Sequence, residues 1–141
     1  GPITIGGDTA DLAVQAFENG GMGAILNGQT TVQVSNSQFN NNGSHGLQVT
    51  ARGDITLNNV TATWNGGSGA KIVGICTNTV NVFGGTFAYN GKNGIKIIDI
   101  NYFLDGLQTF GGNASSDVSV TPCDSNGNPS NNGGGSGGGS C

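Results

Sequence analysis

Charge is what this sequence has least of. Lys and Arg together number four among 141 residues, Asp and Glu eight, and all charged residues make up 9% of the chain. With four cations there is no basic stripe to neutralise phosphates, so nucleic-acid binding and docking on an anionic membrane are disfavoured. No apolar run approaches the length needed to span a bilayer, and no membrane insertion is expected. No secretory leader is visible. Trp, His and Met occur once each. Cysteine is limited to three residues. Cys141 closes a Gly/Ser linker and reads as a conjugation thiol. Cys76 and Cys123 can form a disulfide, which favours an extracellular origin, or remain two buried thiols; sequence alone leaves both open.

Glycine is abundant, with 28 residues. Both termini look engineered. Gly1-Pro2 resembles a tag-removal scar, and the Asn/Gly/Ser run over 125–141 ends in "GGGSGGGSC", a flexible linker that should be mobile. About 120 residues remain, enough for one domain. Low charge with much Gly, Asn and Ser often signals disorder. Here apolar residues recur at fixed phase, which disordered segments rarely show.

The recurrence is anchored on Asn-Gly. "NGGMGAIL" begins at Asn19, "NGSHGLQV" at Asn42, "NGGSGAKI" at Asn65 and "NGKNGIKI" at Asn90, giving spacings of 23, 23 and 25. In that register Gly23, Gly46, Gly69 and Gly94 align. So do Ala24, Leu47, Ala70 and Ile95, and then Leu26, Val49, Ile72 and Ile97. The residues between are mostly polar, and this period-two alternation predicts a strand with one buried face. A second strand is predicted at Val32, Ile55 and Val80. A third, shorter one is predicted at "SQF", "VTA" and "GTF", with Phe39, Ala62 and Phe87 in register.

Asn-Gly between strands is also a hairpin signal. Hairpins, however, do not require like side chains every 23 residues, whereas a solenoid does, because each repeat lies on the one before. Three short strands per period predict a parallel β-helix with coils about 4.8 Å apart. The four Asn amides should then form an internal ladder. The Gly after each Asn should supply φ > 0 at the corner, and the second Gly should let the chain enter the next strand.

The pattern N-G-x-x-G-[ILVA]-x-[ILV], preceded by "VSNSQF" or "LNNVTATW", resembles the right-handed parallel β-helix repeats of the pectate-lyase-like superfamily. Within it, the likeness is to tandem repeats of large secreted or surface bacterial proteins. It covers about residues 19–97. It implies an all-β, right-handed solenoid of four to five coils. It implies little about activity, since lyases, hydrolases, adhesins and tail spikes share the architecture.

Around this core the sequence predicts an N-terminal cap over 3–18. Leu12, Ala13, Ala16 and Phe17 have helical spacing behind Asp8 or Thr9, so a short capping helix is expected, with an irregular first coil as the alternative. Residues 98–124 are read as a C-terminal insertion and last coil, the insertion being rich in Tyr102, Phe103, Leu104 and Phe110 and read as a lid. There "VSV" at Val118 resembles one more strand in the Val32/Ile55/Val80 column.

The superfamily's lyases need clustered acidic Ca²⁺ ligands and a base, and its hydrolases need paired carboxylates. The eight acids here fall in different columns. Asp99 and Asp105 flank the insertion, and Arg52 and Asp54 share a turn. His45 occupies a variable slot and reads as a solvated turn residue. Lys71 and Lys96 read as solvating a sheet face. No metal or cofactor signature is present. Trp64 and Tyr89 share one column. Alternation from Ala62 and Phe87 turns them inward, while the corner that follows could turn them out as a sugar-binding strip. The expected function is a non-catalytic structural module, a rigid spacer or display scaffold from a bacterial extracellular repeat protein. The alternatives are a carbohydrate-binding or adhesion module using Trp64 and Tyr89, and a fragment of a polysaccharide lyase or hydrolase. The partners to expect are a carbohydrate, or further copies meeting at the solenoid ends.

Overall fold

The computed structural model describes residues 3–6 and 14–123. Its strands fall into a repeating order of three faces, A, B and C. Coil 1 comprises β1 (Ile3–Ile5), β2 (Gln15–Phe17) and β3 (Ala24–Gly28), and coil 2 comprises β4 (Val32–Ser35), β5 (Gln38–Asn40) and β6 (Leu47–Ala51). Coil 3 has β7 (Ile55–Asn58) and β8 (Ala70–Val73); coil 4 has β9 (Thr79–Phe83), β10 (Thr86–Ala88) and β11 (Ile95–Ile98); coil 5 has β12 (Asn101–Leu104), β13 (Thr109–Gly111) and β14 (Val118–Thr121). Face A is a five-stranded sheet, β1-β4-β7-β9-β12, and face C is a second, β3-β6-β8-β11-β14. Every pairing is parallel, as in β4 on β7, where Val32 meets Ile55 and Val34 meets Leu57. The chain is therefore an all-β parallel solenoid of about five turns.

Face B is thinner. β2 pairs with β5 and β10 with β13. Between them coil 3 has no strand, because "VTA" narrows to a bridge at Thr61, which touches Gln38 below and Thr86 above. The inward column on this face reads Ala16, Phe39, Ala62, Phe87, Phe110. Alternation of small and large lets the fully buried Phe39 and Phe87 interdigitate across Ala62. Faces A and C supply β-branched and Leu columns that complete one continuous core, including Val34, Leu57, Val82, Val49, Ile72 and Ile97.

Several expectations change at the ends. Among the described residues there is no helix. Gln15–Phe17, the described end of the predicted capping helix, is a strand, because pairing Ala16 over Phe39 satisfies its backbone on the sheet. Asp8, Thr9, Leu12 and Ala13 lie outside the described residues, as do the predicted mobile tail and Cys141. Residues 98–123 do not make a lid. They wind on as a fifth coil, with Tyr102 over Val80 and Leu104 over Val82. Val118 accordingly stacks on Ile95 of face C, not in the Val32/Ile55/Val80 column. The insertion had hidden an ordinary rung, because Asn-Tyr-Phe-Leu lacks the Val/Ile alternation of its predecessors.

The asparagines stand in one column. Asn42 donates from its N–H and from Nδ2 to Asn65 Oδ1, both at 3.0 Å, and from Nδ2 to the Ala16 carbonyl at 3.1 Å. Asn65 repeats this toward Asn90 Oδ1 (3.1 and 3.1 Å) and the Phe39 carbonyl (2.8 Å). Asn19 makes the same pair of bonds to Asn42 Oδ1. Each interior amide thus has both donors and both acceptor sites filled, which makes burial of this group affordable in hydrogen-bond terms. Asn113 extends the column to a fifth rung: its Oδ1 accepts from Asn90, and its Nδ2 donates to the Phe87 carbonyl and to Asp117 Oδ1, which ends the ladder.

The corner glycines act differently from expectation. Gly20, Gly43, Gly66 and Gly91 are not among the residues with positive φ; the left-handed residue is the one before each Asn, namely Glu18, Asn41, Trp64 and Tyr89 (φ 56–58°). Except at Gly20, which has open space around it, these glycines are needed for vertical approach. A Cβ on Gly66 would lie 2.4 Å from the Gly43 carbonyl oxygen, and one on Gly69 would lie 2.7 Å from the Gly94 oxygen and 2.8 Å from Asn90 Nδ2. Stacked coils leave no room there for a side chain.

Cys76 and Cys123 are joined by a disulfide with Cα atoms 5.7 Å apart, spanning 47 residues. It ties the loop after β8 to the end of the fifth coil. Closing a loop of that size in the unfolded chain predicts a contribution of about 3–4 kcal/mol. Urea unfolding of the Cys76→Ser/Cys123→Ser variant should show a loss of that order.

The ladder makes a sharper prediction. Asn65→Ala strands the Asn42 N–H and Nδ2 and the Phe39 carbonyl in the interior, and should cost about 3–4 kcal/mol. Asn19→Ala, on the exposed first rung, removes donors only and should cost less than about 1 kcal/mol. Chemical denaturation of the two variants side by side checks the difference.

Candidate functional site

The corner between faces B and C concentrates the unusual chemistry. One column reads Glu18, Asn41, Trp64, Tyr89 and Gly112, and all five are left-handed. The N–H of Asn41 bonds the Thr63 carbonyl, that of Trp64 the Ala88 carbonyl and that of Tyr89 the Gly111 carbonyl, so each coil dictates the same bend to the next. A bulky residue in this region is strained by about 1–2 kcal/mol.

The bend decides where the aromatics point. Strand alternation from Ala62 and Phe87 predicts Trp64 and Tyr89 inward; the left-handed residue breaks the alternation and turns both outward. Trp64 is 60% exposed and Tyr89 52%. Their rings stack with centroids 4.6 Å apart and planes 10° from parallel. The second face of Tyr89 lies against Gly112, where a Cβ would come within 2.4 Å of the ring. Tyr89 is thus covered on both faces, and Trp64 on one.

Next to this corner, on the inside, runs a second polar column of His45, Ser68 and Asn93, which ends at the exposed Ser116. His45 is not solvated; it is completely buried. The Ser68 N–H donates to His45 Nδ1 at 2.9 Å, Asn93 Nδ2 reaches Ser68 Oγ at 3.5 Å, and Ser116 Oγ donates to Asn93 Oδ1 at 2.8 Å. An acceptor at Nδ1 places the ring hydrogen on Nε2, which has no hydrogen-bond partner. The column was legible as an alignment of variable residues between the two glycines, but not as an interior one. The turn there looks like any exposed loop until the next coil covers it.

Burial, reinforced by the Lys71 charge, lowers the His45 pKa from 6.5 to about 4. A proton on Nδ1 would also oppose the Ser68 N–H. The lysines correct a second expectation: Lys96 lies directly over Lys71 in register, yet it is buried and does not solvate the sheet face.

Among the described residues no three acids meet in one cluster. Asp105 is held by its own turn and by the coil below, accepting from Leu107 N–H (2.9 Å) and Gln108 Nε2 (2.6 Å) in the turn and from Gly84 N–H (3.1 Å) in that coil, and these bonds, Leu107 foremost, lower its pKa. Asp54 accepts the Thr79 N–H in the next coil, and Asp117 caps the ladder. A cleft of about 210 Å³ opens at the end of the fifth coil beside the disulfide, lined by Ile100, Asn101, Tyr102, Val120, Pro122 and Cys123. Its lining holds no acid or base. Among the described residues no group of three His, Cys, Asp or Glu side chains is placed to hold a metal ion.

The residue that sequence reasoning missed is Asn113. Its signal was its position 23 residues after Asn90. It was obscured because Ala114 replaces the following Gly and Asp117 the second one.

The His45 geometry predicts a pH dependence. The unfolded chain binds the imidazole proton below pH 6.5, while the folded chain resists it until about pH 4. Stability from this group is therefore complete above 6.5 and declines as pH falls toward 4, by on the order of 3 kcal/mol. Urea unfolding across that window should show this decline in the parent chain and a flatter profile in His45→Asn, which carries the residue found at Asn93 in the same column.

No protein-family model matches this chain, and no curated protein or solved structure matches it. Of the likeness to pectate-lyase-like repeats, the structure supports the parallel solenoid of about five turns.

Proposed function

We propose that the chain is a non-catalytic structural module: a rigid spacer or display scaffold, taken from or patterned on an extracellular bacterial protein built of right-handed parallel β-helix repeats. The observation that carries this reading is the asparagine ladder. It runs through all five coils and is filled at every interior rung. A continuous hydrogen-bonded column inside a continuous apolar core resists bending between coils, which is what a spacer requires. The acids support the same reading, since Asp54, Asp105 and Asp117 are each engaged in holding a turn or a rung. The disulfide favours an oxidising, extracellular setting.

Rigidity is the testable consequence. Ile25 and Ser119 occupy the same outward column of face C in the first and fifth coils, linked through Gln48, Lys71 and Lys96. Four strand spacings separate them, about 19 Å between Cα positions. Spin labels at Ile25→Cys and Ser119→Cys, in a Cys141→Ser background, should give one narrow distance distribution. A broad or multimodal distribution would overturn the spacer reading.

A further inference from the structure

The outward aromatic pair is not needed by the core. Glu18 and Asn41 take the same left-handed bend without an aromatic, so the corner can be built from polar residues. Placing Trp and Tyr there adds strain and exposes two large rings to water. Stacking offsets part of that cost. It also leaves an asymmetric result. Tyr89 is closed between Trp64 and Gly112, whereas Trp64 keeps a face directed along the column toward Asn41, itself exposed.

We propose that this face of Trp64 is a binding subsite for a neutral pyranose of a polysaccharide. The sugar takes the place that a third aromatic would occupy, one coil below Trp64, with its apolar C–H face against the indole. The ring hydroxyls then meet the Asn41 amide, and Glu18 stands one coil further along the same column. The chemistry selects for neutral sugars. Glu18 is the only charged residue in the column, it is an acid, and the chain carries a formal charge of −4, so uronate polymers are repelled. Tyr89 is a positioning residue: locked on both faces, it fixes the tilt of Trp64, and it does not touch the ligand.

The chain holds one tryptophan, so its emission reports this subsite alone. Cellohexaose and chitohexaose are the probes, with polygalacturonate as the charged comparison. Saturable change in Trp64 emission, and movement of its indole N–H resonance, is expected with at least one neutral oligosaccharide and not with polygalacturonate. Asn41→Tyr provides the decisive variant. Tyr already occupies the equivalent bend at position 89, so this chain should still fold, with a melting temperature lowered by no more than several degrees because stacking on Trp64 offsets part of the bend's strain, yet its new ring fills the subsite and should weaken binding by about tenfold or more. Tyr89→Ala should weaken it several-fold. The proposal is overturned if neither neutral oligosaccharide produces saturation, if polygalacturonate binds equally well, or if folded Asn41→Tyr binds like the parent.

Discussion

Vertical register between equivalent amides is the constraint on which the rest of this molecule depends. An Asn carboxamide has two donors and two acceptor sites, and a parallel stack can fill all four only if the next Asn sits directly above. A coil shifted by one residue would bury unpaired amide groups and also turn its apolar residues to solvent. The ladder and the apolar columns therefore enforce the same alignment. The glycines follow from it, since the corner backbones approach too closely to admit a Cβ.

The same constraint explains why strain appears where it does. The chain must turn sharply from face B to face C before each Asn, and it does so with a left-handed residue at that position in every coil. In coil 5 this is Gly112, where the conformation is easy; in coils 3 and 4 it is Trp64 and Tyr89, where it is not. Backbone pairing to the neighbouring coil over-determines the bend, so the aromatic side chains are carried outward whatever their own preference. A structural corner becomes a place where large rings can be displayed at fixed spacing.

Inside the corner, the His45, Ser68, Asn93 and Ser116 column shows a looser version of the same principle. Different polar groups hydrogen-bond up the stack, and the imidazole remains neutral because burial and nearby lysines oppose its charge. The asparagine column tolerates no such variety among its interior rungs, because only a carboxamide both donates and accepts twice. Variation is permitted where a column carries single bonds and is excluded where each rung carries four.

The amino-acid sequence by itself determined the period, the parallel stacking, the apolar columns of faces A and C and the identity of four ladder rungs. Those features are written as like residues at like spacing, and repetition survives translation into structure. It was less informative wherever meaning depends on what lies above or below. The fifth coil was disguised by its Tyr and Phe residues, and Asn113 by the loss of its glycines. His45 looked solvated because its cover comes from another coil, and Lys96 likewise proved buried. Trp64 and Tyr89 faced the wrong way under strand alternation, since the left-handed bend is imposed by hydrogen bonds to neighbouring coils and not by any preference of Trp or Tyr. The disulfide, too, required the stack, which brings together two cysteines 47 residues apart. Local pattern decides how a coil is made; only the packed stack decides which side chains are covered and which are shown.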